Sequence, residues 1–332
     1  MPAGGPPWGG RRELRRDINA REVRVNARPP DPRGAQPSWP FPEAGRYVQL
    51  DGARWHLVHL GSGPPLLLIH GSASSAHQWG HVARLLEGRL SLIIPDLPGH
   101  GYSLSSPPDG SGLEEVASQL GRLLRQEGIS PLLVAGHSAG ACIAIRAAAR
   151  GWIAPKAVLA LAPALGSRDT YVPPLLDRPM TALARSGLLA RGVAGAIRTL
   201  PIVEQLLRST GSRLDPEVRS RYRALLSDPR RVAGALALFS DWDPADVAAD
   251  AARLGIPVTV LAGEEDQWVP PSTIQETISR ALLAHPEGKQ SVQLRFEPRL
   301  GHLLPEEAPE LVATCLLELA ERVGVLPAAT GD

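Results

Sequence analysis

The sequence predicts an α/β fold in which a mostly parallel sheet of about eight strands is flanked by helices and carries an inserted helical cap. Short apolar runs alternate with helix-like runs along most of the chain, which is typical of β-α-β units. The alternation stops between residues 166 and 246, where helix-like segments follow one another. The turn Gly136-His137-Ser138-Ala139-Gly140 lies between an apolar run and an Ala-rich run. This order of strand, sharp turn and helix places a serine at the edge of the sheet.

Composition and charge exclude several classes of protein. The chain has 332 residues and a net formal charge of +1, which argues against a general nucleic-acid-binding protein. Its two cysteines, Cys142 and Cys315, lie in apolar runs and form no disulfide framework. We find no run of about 18 apolar residues, and the N-terminus lacks the apolar stretch of a secretory signal. We therefore expect a cytoplasmic protein without a membrane span.

The chain divides by composition into an arm, a core, a cap and a tail. The first 40 residues hold eight prolines and eight arginines against four acidic residues, with little apolar surface to offset the entropy of ordering. We expect residues 1–42 to be poorly ordered or to lie on the surface; a docking arm for an acidic partner or an anionic membrane surface is the alternative. The core is expected at 43–165 and 247–326, the cap at 166–246 and the tail at 327–332.

The strands and helices of the first half follow from apolar runs and their spacing. Two short strand candidates flank Asp51-Gly52, which is a strong signal for a hairpin turn. Continuous apolar runs, which indicate strands buried on both faces, come next. The strand candidates are Arg46–Leu50, Arg54–Leu60, Pro65–Ile69, Leu90–Ile94, the run starting at Leu132, and Ala157–Leu161. Helix candidates are Ser75–Leu86, Leu113–Gln126 and Ala141–Ala149.

The cap and the second half of the core complete the pattern. Helix-like segments of the cap are Met180–Ala196, Ile202–Ser209, Pro216–Ser227 and Pro229–Ser240. A strand, a helix, a strand and a last helix follow at Ile256–Leu261, Ser272–Leu283, Ser291–Phe296 and from Glu306 to about Val323. The cap has more apolar residues than docking needs, so we expect a largely apolar cavity beneath it, suited to an uncharged or flat hydrophobic ligand. The alternative is that the cap helices pack these residues among themselves.

Three residues at the predicted sheet edge indicate nucleophilic catalysis. A serine hydroxyl attacks effectively only when a base removes its proton, and a carboxylate holds a histidine base in the useful tautomer. Asp266 closely follows one predicted strand and His302 follows the next. Because the carboxyl ends of parallel strands meet at one edge of the sheet, we expect Ser138, Asp266 and His302 to form a catalytic triad.

Stabilisation of negative charge on an oxygen atom needs N–H donors close to the nucleophile. The amide of Ala139 lies at the predicted start of a helix, and the amide of Ser72 follows the third predicted strand. We expect these two amides to form the oxyanion hole. His70, His137 and Trp268 are expected to line the pocket, and packing in the core is the alternative for the last two.

Several motifs together resemble those of the α/β-hydrolase superfamily over roughly residues 44–325. They are His70-Gly71, Asp96-Leu97-Pro98-Gly99-His100-Gly101, Gly136-His137-Ser138-Ala139-Gly140, Gly263-x-x-Asp266 and Gly301-His302. A narrower set resembles the BchO family, the magnesium-chelatase accessory proteins of bacteriochlorophyll biosynthesis. It comprises Ser38-Trp39-Pro40, Thr210-Gly211-Ser212-Arg213-Leu214-Asp215, Val232-Ala233-Gly234-Ala235-Leu236 and Trp242-Asp243. The resemblance implies an α/β-hydrolase fold and a role in photosynthesis, in the insertion of magnesium into protoporphyrin IX.

Other polar residues near the predicted site have ordinary explanations. We expect Glu264 and Glu265 to be solvated loop charges and Asp96 to shape its own loop. His77 and His81 lie four residues apart, but Mg²⁺ prefers oxygen ligands, so we expect surface residues rather than a metal pair. The chain has no Gly-x-x-x-x-Gly-Lys phosphate loop. We therefore predict neither a metal site nor a cofactor.

Two functions are compatible with these residues. One is an accessory factor of the pigment pathway that binds a porphyrin, with magnesium chelatase subunits as the partners that the resemblance implies. The other is a serine ester hydrolase that acts on a small or medium apolar substrate unrelated to pigment synthesis. A chain that only binds would be free to lose Ser138, Asp266 and His302, so their presence favours an enzyme.

Overall fold

The computed structural model describes residues 40–41, 44–103, 112–166, 188–240 and 242–328. Most of the predicted arm, the first part of the predicted cap and the end of the predicted tail lie outside these residues. Within the described ranges, no helix combines the length and the hydropathy that a membrane crossing requires.

Eight strands in the described part of the chain form one mixed sheet, as the sequence predicts. They are β1 (Gly45–Leu50), β2 (Ala53–Leu60), β3 (Pro65–Ile69), β4 (Ser91–Pro95), β5 (Leu133–His137), β6 (Ala157–Leu161), β7 (Val258–Gly263) and β8 (Val292–Glu297). Their order is β1-β2-β4-β3-β5-β6-β7-β8; β2 pairs antiparallel with β1 and β4, and the other neighbours pair parallel. Asp51 and Gly52 join β1 to β2 with φ of 49° and 79°, as a type I′ turn requires.

The helices occupy both faces of the sheet and the cap. Those described are α1 (Gly80–Leu86), α2 (Leu113–Gln126), α3 (Ala139–Ala149), α4 (Leu188–Thr199), α5 (Ile202–Arg208), α6 (Pro216–Leu226), α7 (Pro229–Ser240), α8 (Val247–Arg253), α9 (Pro271–Ala284), α10 (Leu304–Glu307) and α11 (Pro309–Arg322). Helix α8 was not predicted, because four of its seven residues are alanine and the segment shows no clear apolar stripe. The predicted last helix is split, because the residue before Pro309 is held away from helical backbone angles.

Two apolar layers form the core, one on each face of the sheet. Helices α2, α3, α8 and α9 pack on one face, and α1 and α11 pack on the other. Strand residues alternate between the layers: Leu67 and Ile69 face the first, whereas Leu66 and Leu68 face the second. Strands covered on both faces must be apolar throughout, which is why continuous apolar runs predict them.

The described part of the cap consists of α4–α7, between β6 and β7 in the chain. Some of its apolar side chains, including Val203 and Val218, pack among themselves in a small separate core. The cap docks by backbone contact, because Gly234 in α7 lies directly against Gly99 in the loop after β4. A Cβ added to Gly234 would lie 2.1 Å from the Gly99 carbonyl oxygen. Gly234 is therefore required, because the two backbones are too close for a side chain at this position.

We predict that Gly234→Ala lowers the free energy of unfolding by about 1–3 kcal/mol, because the added methyl forces the cap from the core. The matched control is Gly192→Ala in α4, where an added Cβ meets nothing within 4 Å. That change should leave stability unchanged or raise it by up to about 1 kcal/mol, because alanine favours helix. Urea denaturation of the three proteins measures both effects. Equal stabilities for the two variants would contradict the proposed contact.

Candidate functional site

Ser138 lies at the sharp turn between β5 and α3, where two glycines allow three backbone segments to touch. A Cβ on Gly136 would lie 2.3 Å from the Gly140 carbonyl oxygen, and one on Gly140 would lie 2.4 Å from the Ile69 carbonyl oxygen. The turn holds Ser138 at φ 52° and ψ −115°, a backbone conformation that side-chain-bearing residues rarely adopt. Strain of this kind persists only where the surroundings impose it, and it is common at functional sites.

Asp266 and His302 form a buried hydrogen-bonded pair at the same edge of the sheet. Asp266 follows β7, and its Oδ2 atom lies 2.7 Å from Nδ1 of His302, which follows β8. Its Oδ1 atom accepts hydrogen bonds from the backbone N–H groups of Trp268 and Val269, each at 2.8 Å. The carboxylate is therefore held on both oxygens. With Nδ1 engaged in this way, His302 has Nε2 left to accept a proton.

Ser138 and His302 line one cavity, which also lies against the cap. In the part of the chain that the structure describes, no hydrogen bond joins the two side chains. A nucleophile and its base are commonly further apart in a ligand-free site than in the reacting complex. The structure thus brings the three predicted residues to one place, and their catalytic roles stay a prediction.

The two predicted oxyanion-hole residues also lie beside the nucleophile. Ala139 is the first residue of α3, and Ser72 lines the cavity. The loop that carries Ser72 is fixed on both sides, because the Gly71 N–H donates to Gln78 Oε1 at 3.0 Å and Gly71 packs on the His137 ring. That these amides stabilise an oxyanion remains a prediction.

Two of the three predicted pocket residues line the cavity, and the third does not. His137 and Trp268 are part of the wall. The prediction for His70 is wrong: its ring is buried, with Nδ1 2.7 Å from the Gly71 carbonyl oxygen and Nε2 accepting from the Leu97 N–H at 2.9 Å. Burial lowers the pKa of His70, so the ring is neutral and braces two loops.

The cavity under the cap has a volume of about 60 Å³ and is mainly apolar. The cap contributes Leu206, Leu207, Thr210, Tyr222, Leu226 and Phe239 to its wall. A water molecule occupies about 30 Å³ of liquid, and pockets for drug-sized ligands span roughly 300–1,000 Å³. With the cap in this position, the cavity is much smaller than a pocket for a drug-sized ligand.

A buried polar cluster, which the sequence analysis missed, adjoins the cavity, because two of its members, Gln78 and Tyr222, are part of the cavity wall. We call it the Glu306 cluster; its members are Glu306 of α10, Tyr222 of α6, and Gln78, His77 and Ser74 of the loop region before α1. The Tyr222 hydroxyl donates to Glu306 Oε2 at 2.9 Å and lies 3.2 Å from Ser74 Oγ. Gln78 Nε2 lies 3.4 Å from both the Tyr222 hydroxyl and Glu306 Oε2.

The Glu306 cluster is electrically neutral near pH 7. Burial raises the pKa of the Glu306 carboxyl to about 8 and raises the pKa of Tyr222 well above its usual value. Burial and the nearby Arg221 lower the pKa of His77 to about 3, and His77 Nε2 lies 3.6 Å from Glu306 Oε1. The expectation that His77 is a surface residue is thus wrong, because its ring packs inside this cluster.

The remaining sequence expectations concern loop residues and metals. Asp96 is buried and shapes its loop by accepting hydrogen bonds from the N–H groups of Ala76 and Tyr102. Burial opposes its ionisation, but the hydrogen bond and charge of His56 outweigh this and lower the pKa of Asp96 to about 2. The side chains of Glu264 and Glu265 are exposed. No group of three or more metal-ligating side chains occurs in the described ranges.

Comparisons with known proteins agree with this geometry. The alpha/beta hydrolase family model matches residues 66–314. The magnesium-chelatase 30 kDa subunit of Rhodobacter capsulatus is 29% identical over 313 residues, which cover 88% of this chain and 99% of that protein. N-formylmaleamate deformylase of Pseudomonas putida is 36% identical over 109 residues, 32% of this chain and 41% of that protein. An α/β-hydrolase-fold structure from Burkholderia ambifaria superposes with a TM-score of 0.65 at 25% identity, covering 83% of this chain and 98% of that one. The resemblance of the motifs to the α/β-hydrolase superfamily is confirmed, and the chain is similar to a magnesium-chelatase subunit along most of its length.

We predict that Glu306 makes the free energy of unfolding fall as the pH rises from 5 to 8, because its carboxyl ionises at lower pH in the unfolded chain than in the folded chain. Its pKa is raised from 4.5 to about 8, so over this range the folded chain keeps a proton that the unfolded chain has lost. Glu306→Gln keeps the neutral shape and lacks this loss. The difference between the free energy of unfolding of Glu306→Gln and that of wild type should therefore rise by on the order of a few kcal/mol between pH 5 and pH 8.

Urea denaturation at several pH values measures this difference. Glu310→Gln on α11 is the matched control, because that side chain is exposed. Its stability should run parallel to that of wild type at every pH. Parallel curves for Glu306→Gln and wild type would show that Glu306 is ionised at neutral pH in the folded chain.

Proposed function

Because the chain belongs to the alpha/beta hydrolase family, we propose that it is a serine hydrolase whose reaction assists the insertion of magnesium into protoporphyrin IX in bacteriochlorophyll biosynthesis. The observation that carries the chemical part is the buried Asp266–His302 hydrogen bond beside a cavity that Ser138 also lines. A paired histidine and carboxylate facing a strained serine suit acyl transfer better than binding alone.

In the proposed reaction, Ser138 Oγ attacks a substrate carbonyl carbon while His302 Nε2 takes the hydroxyl proton. Asp266 stabilises the imidazolium that forms, and the amides of Ala139 and Ser72 donate to the carbonyl oxygen as it gains negative charge. The attack forms a tetrahedral intermediate. When it collapses, the bond to the leaving group breaks and the leaving group receives the proton from His302. Water then attacks the acyl-enzyme by the same steps and regenerates Ser138.

The pathway assignment rests on the likeness to a magnesium-chelatase subunit along 99% of that protein's length. The cap motifs also support it, since both lie against the core: Ser212 accepts a hydrogen bond from the Leu303 N–H, and Gly234 packs on Gly99. A porphyrin is far larger than the cavity of about 60 Å³, so contact between a porphyrin and Ser138 requires a displaced cap. Chelatase subunits are the protein partners that this assignment implies.

A second candidate is a serine ester hydrolase whose small or medium apolar substrate is unrelated to pigment synthesis. The observation that favours it is the small cavity, in which side chains such as Leu206, Leu226 and Phe239 surround the nucleophile. A short acyl group fits such a space with little movement of the cap.

We predict that a fluorophosphonate probe phosphonylates Ser138 and that His302→Ala slows the reaction by about 10²–10⁴-fold, because the base is lost. His285→Ala directly after α9 is the control, since that histidine is not among the residues that line the cavity. Mass spectrometry of the labelled peptide and the time course measure both effects. A folded wild-type protein that resists probes of several sizes would favour a binding function instead.

We further predict that Ser138→Ala fails to restore pigment in cells that make bacteriochlorophyll and lack this protein, although the variant folds and still binds protoporphyrin IX. The reason is that the variant loses the nucleophile but keeps the cavity wall. Pigment absorbance and porphyrin fluorescence titration are the measurements. Full restoration by the variant would mean that reaction at Ser138 is not the physiological task.

A further inference from the structure

The backbone of the proposed base is held by the cap. The His302 N–H donates to the Thr210 carbonyl oxygen at 3.1 Å, and the next N–H, that of Leu303, donates to Ser212 Oγ at 2.8 Å. Thr210 and Ser212 belong to the link between α5 and α6 of the cap. We call the five residues 209–213 the docking segment.

The docking segment also packs on the loop that carries Asp266 and on the loop that carries His302. No side chain lies between the backbones at these contacts. A Cβ on Gly301 would lie 2.4 Å from the Gly211 carbonyl carbon and from the Ser212 nitrogen. Gly211 has φ +78°, and a Cβ there would lie 2.0 Å from the carbonyl oxygen of Glu265, which precedes Asp266. Contacts this close transmit any displacement of the cap to the loops beneath it.

On its other side His302 is held by the sharp turn between β5 and α3 that carries Ser138, which we call the elbow. The His302 carbonyl oxygen accepts a hydrogen bond from His137 Nε2 at 2.8 Å, and His137 precedes Ser138 directly. The N–H, the carbonyl and Nδ1 of His302 thus contact the cap, the elbow and Asp266, respectively. If the cap moved away, the first of these contacts would be lost and the other two would stay.

We propose that Ser212 and Thr210 are positioning residues, which align His302 with Ser138 only while the cap is docked. This inference rests on the proposed hydrolytic function and deepens it. Because the cavity holds only about 60 Å³ with the cap in place, a larger substrate enters when the cap is displaced and the base is out of alignment. Return of the cap over the substrate then restores the base, so reaction follows enclosure.

The test uses the full chain and a fluorophosphonate probe, whose reaction with Ser138 needs the base. The maximal labelling rate and the half-saturating probe concentration are measured separately. Ser212→Ala removes the acceptor for the Leu303 N–H, and Ser212→Thr keeps a hydroxyl. The matched control is Ser227→Ala, because that hydroxyl, directly after α6 in the cap, donates to the Arg223 carbonyl oxygen of α6 at 2.7 Å and not to the core.

We expect Ser212→Ala to lower the maximal rate about tenfold, as loss of one aligning hydrogen bond does, with the half-saturating concentration within about twofold of wild type. Ser212→Thr should recover most of the rate, and Ser227→Ala should match wild type. Hydrogen exchange at the Leu303 amide should accelerate in Ser212→Ala. If that variant does not fold, Ser212→Cys, with similar volume and a weaker acceptor, is tested by the same criteria.

Three results would overturn the inference while leaving the proposed function intact. They are an unchanged rate in Ser212→Ala, a change confined to the half-saturating concentration, and an equal loss in Ser227→Ala, which would indicate general loosening of the cap. Failure of the folded wild-type protein to react would overturn the proposed function, and this inference with it.

Discussion

The close approach of three backbones at Ser138 is the constraint on which the site depends. Gly136 and Gly140 let β5, the start of α3 and the end of β3 touch without side chains between them. That contact holds Ser138 at φ 52° and presents its hydroxyl at the edge of the sheet. The position of the nucleophile is therefore fixed by the core of the fold, and the groups that act on it must be brought to that point by other segments.

Those other segments are held in part by the cap. His302 contacts the docking segment through its N–H, as well as Asp266 and His137. The Ser72 loop is held by Gln78, whose side-chain nitrogen reaches the hydroxyl of Tyr222 in the cap. The proposed base and the proposed oxyanion loop are thus both linked to the cap, whereas no hydrogen bond joins Ser138 to the described cap residues. Displacement of the cap would separate the parts of the site without disturbing the sheet.

The sequence predicted the features that a local pattern determines, such as the strands. It missed the features that depend on contacts between residues far apart in the chain. Continuous apolar runs identified Pro65–Ile69 and Ala157–Leu161 to the residue, because a strand covered on both faces has no polar positions. His302 was recognisable because it follows a strand. His70 follows a strand too, but backbone groups occupy both of its ring nitrogens, which no local pattern reveals. The Glu306–Tyr222 bond joins residues 84 positions apart, so neither partner signals the other.

The chemistry of the cap interface determines what the proposed displacement of the cap would cost. The interface combines bare backbone contacts at Gly234 and Gly211 with the neutral, hydrogen-bonded Glu306 cluster. An apolar interface alone would bind through buried area and would expose hydrophobic surface on opening. Hydrogen-bonding groups, by contrast, regain water when they part, so the net cost of separation is only about 0.5–1.5 kcal/mol for each bond. If the cap is displaced as proposed, these hydrogen bonds oppose the opening only modestly, whereas Leu238 of α7, which is buried in the main core, loses apolar contact.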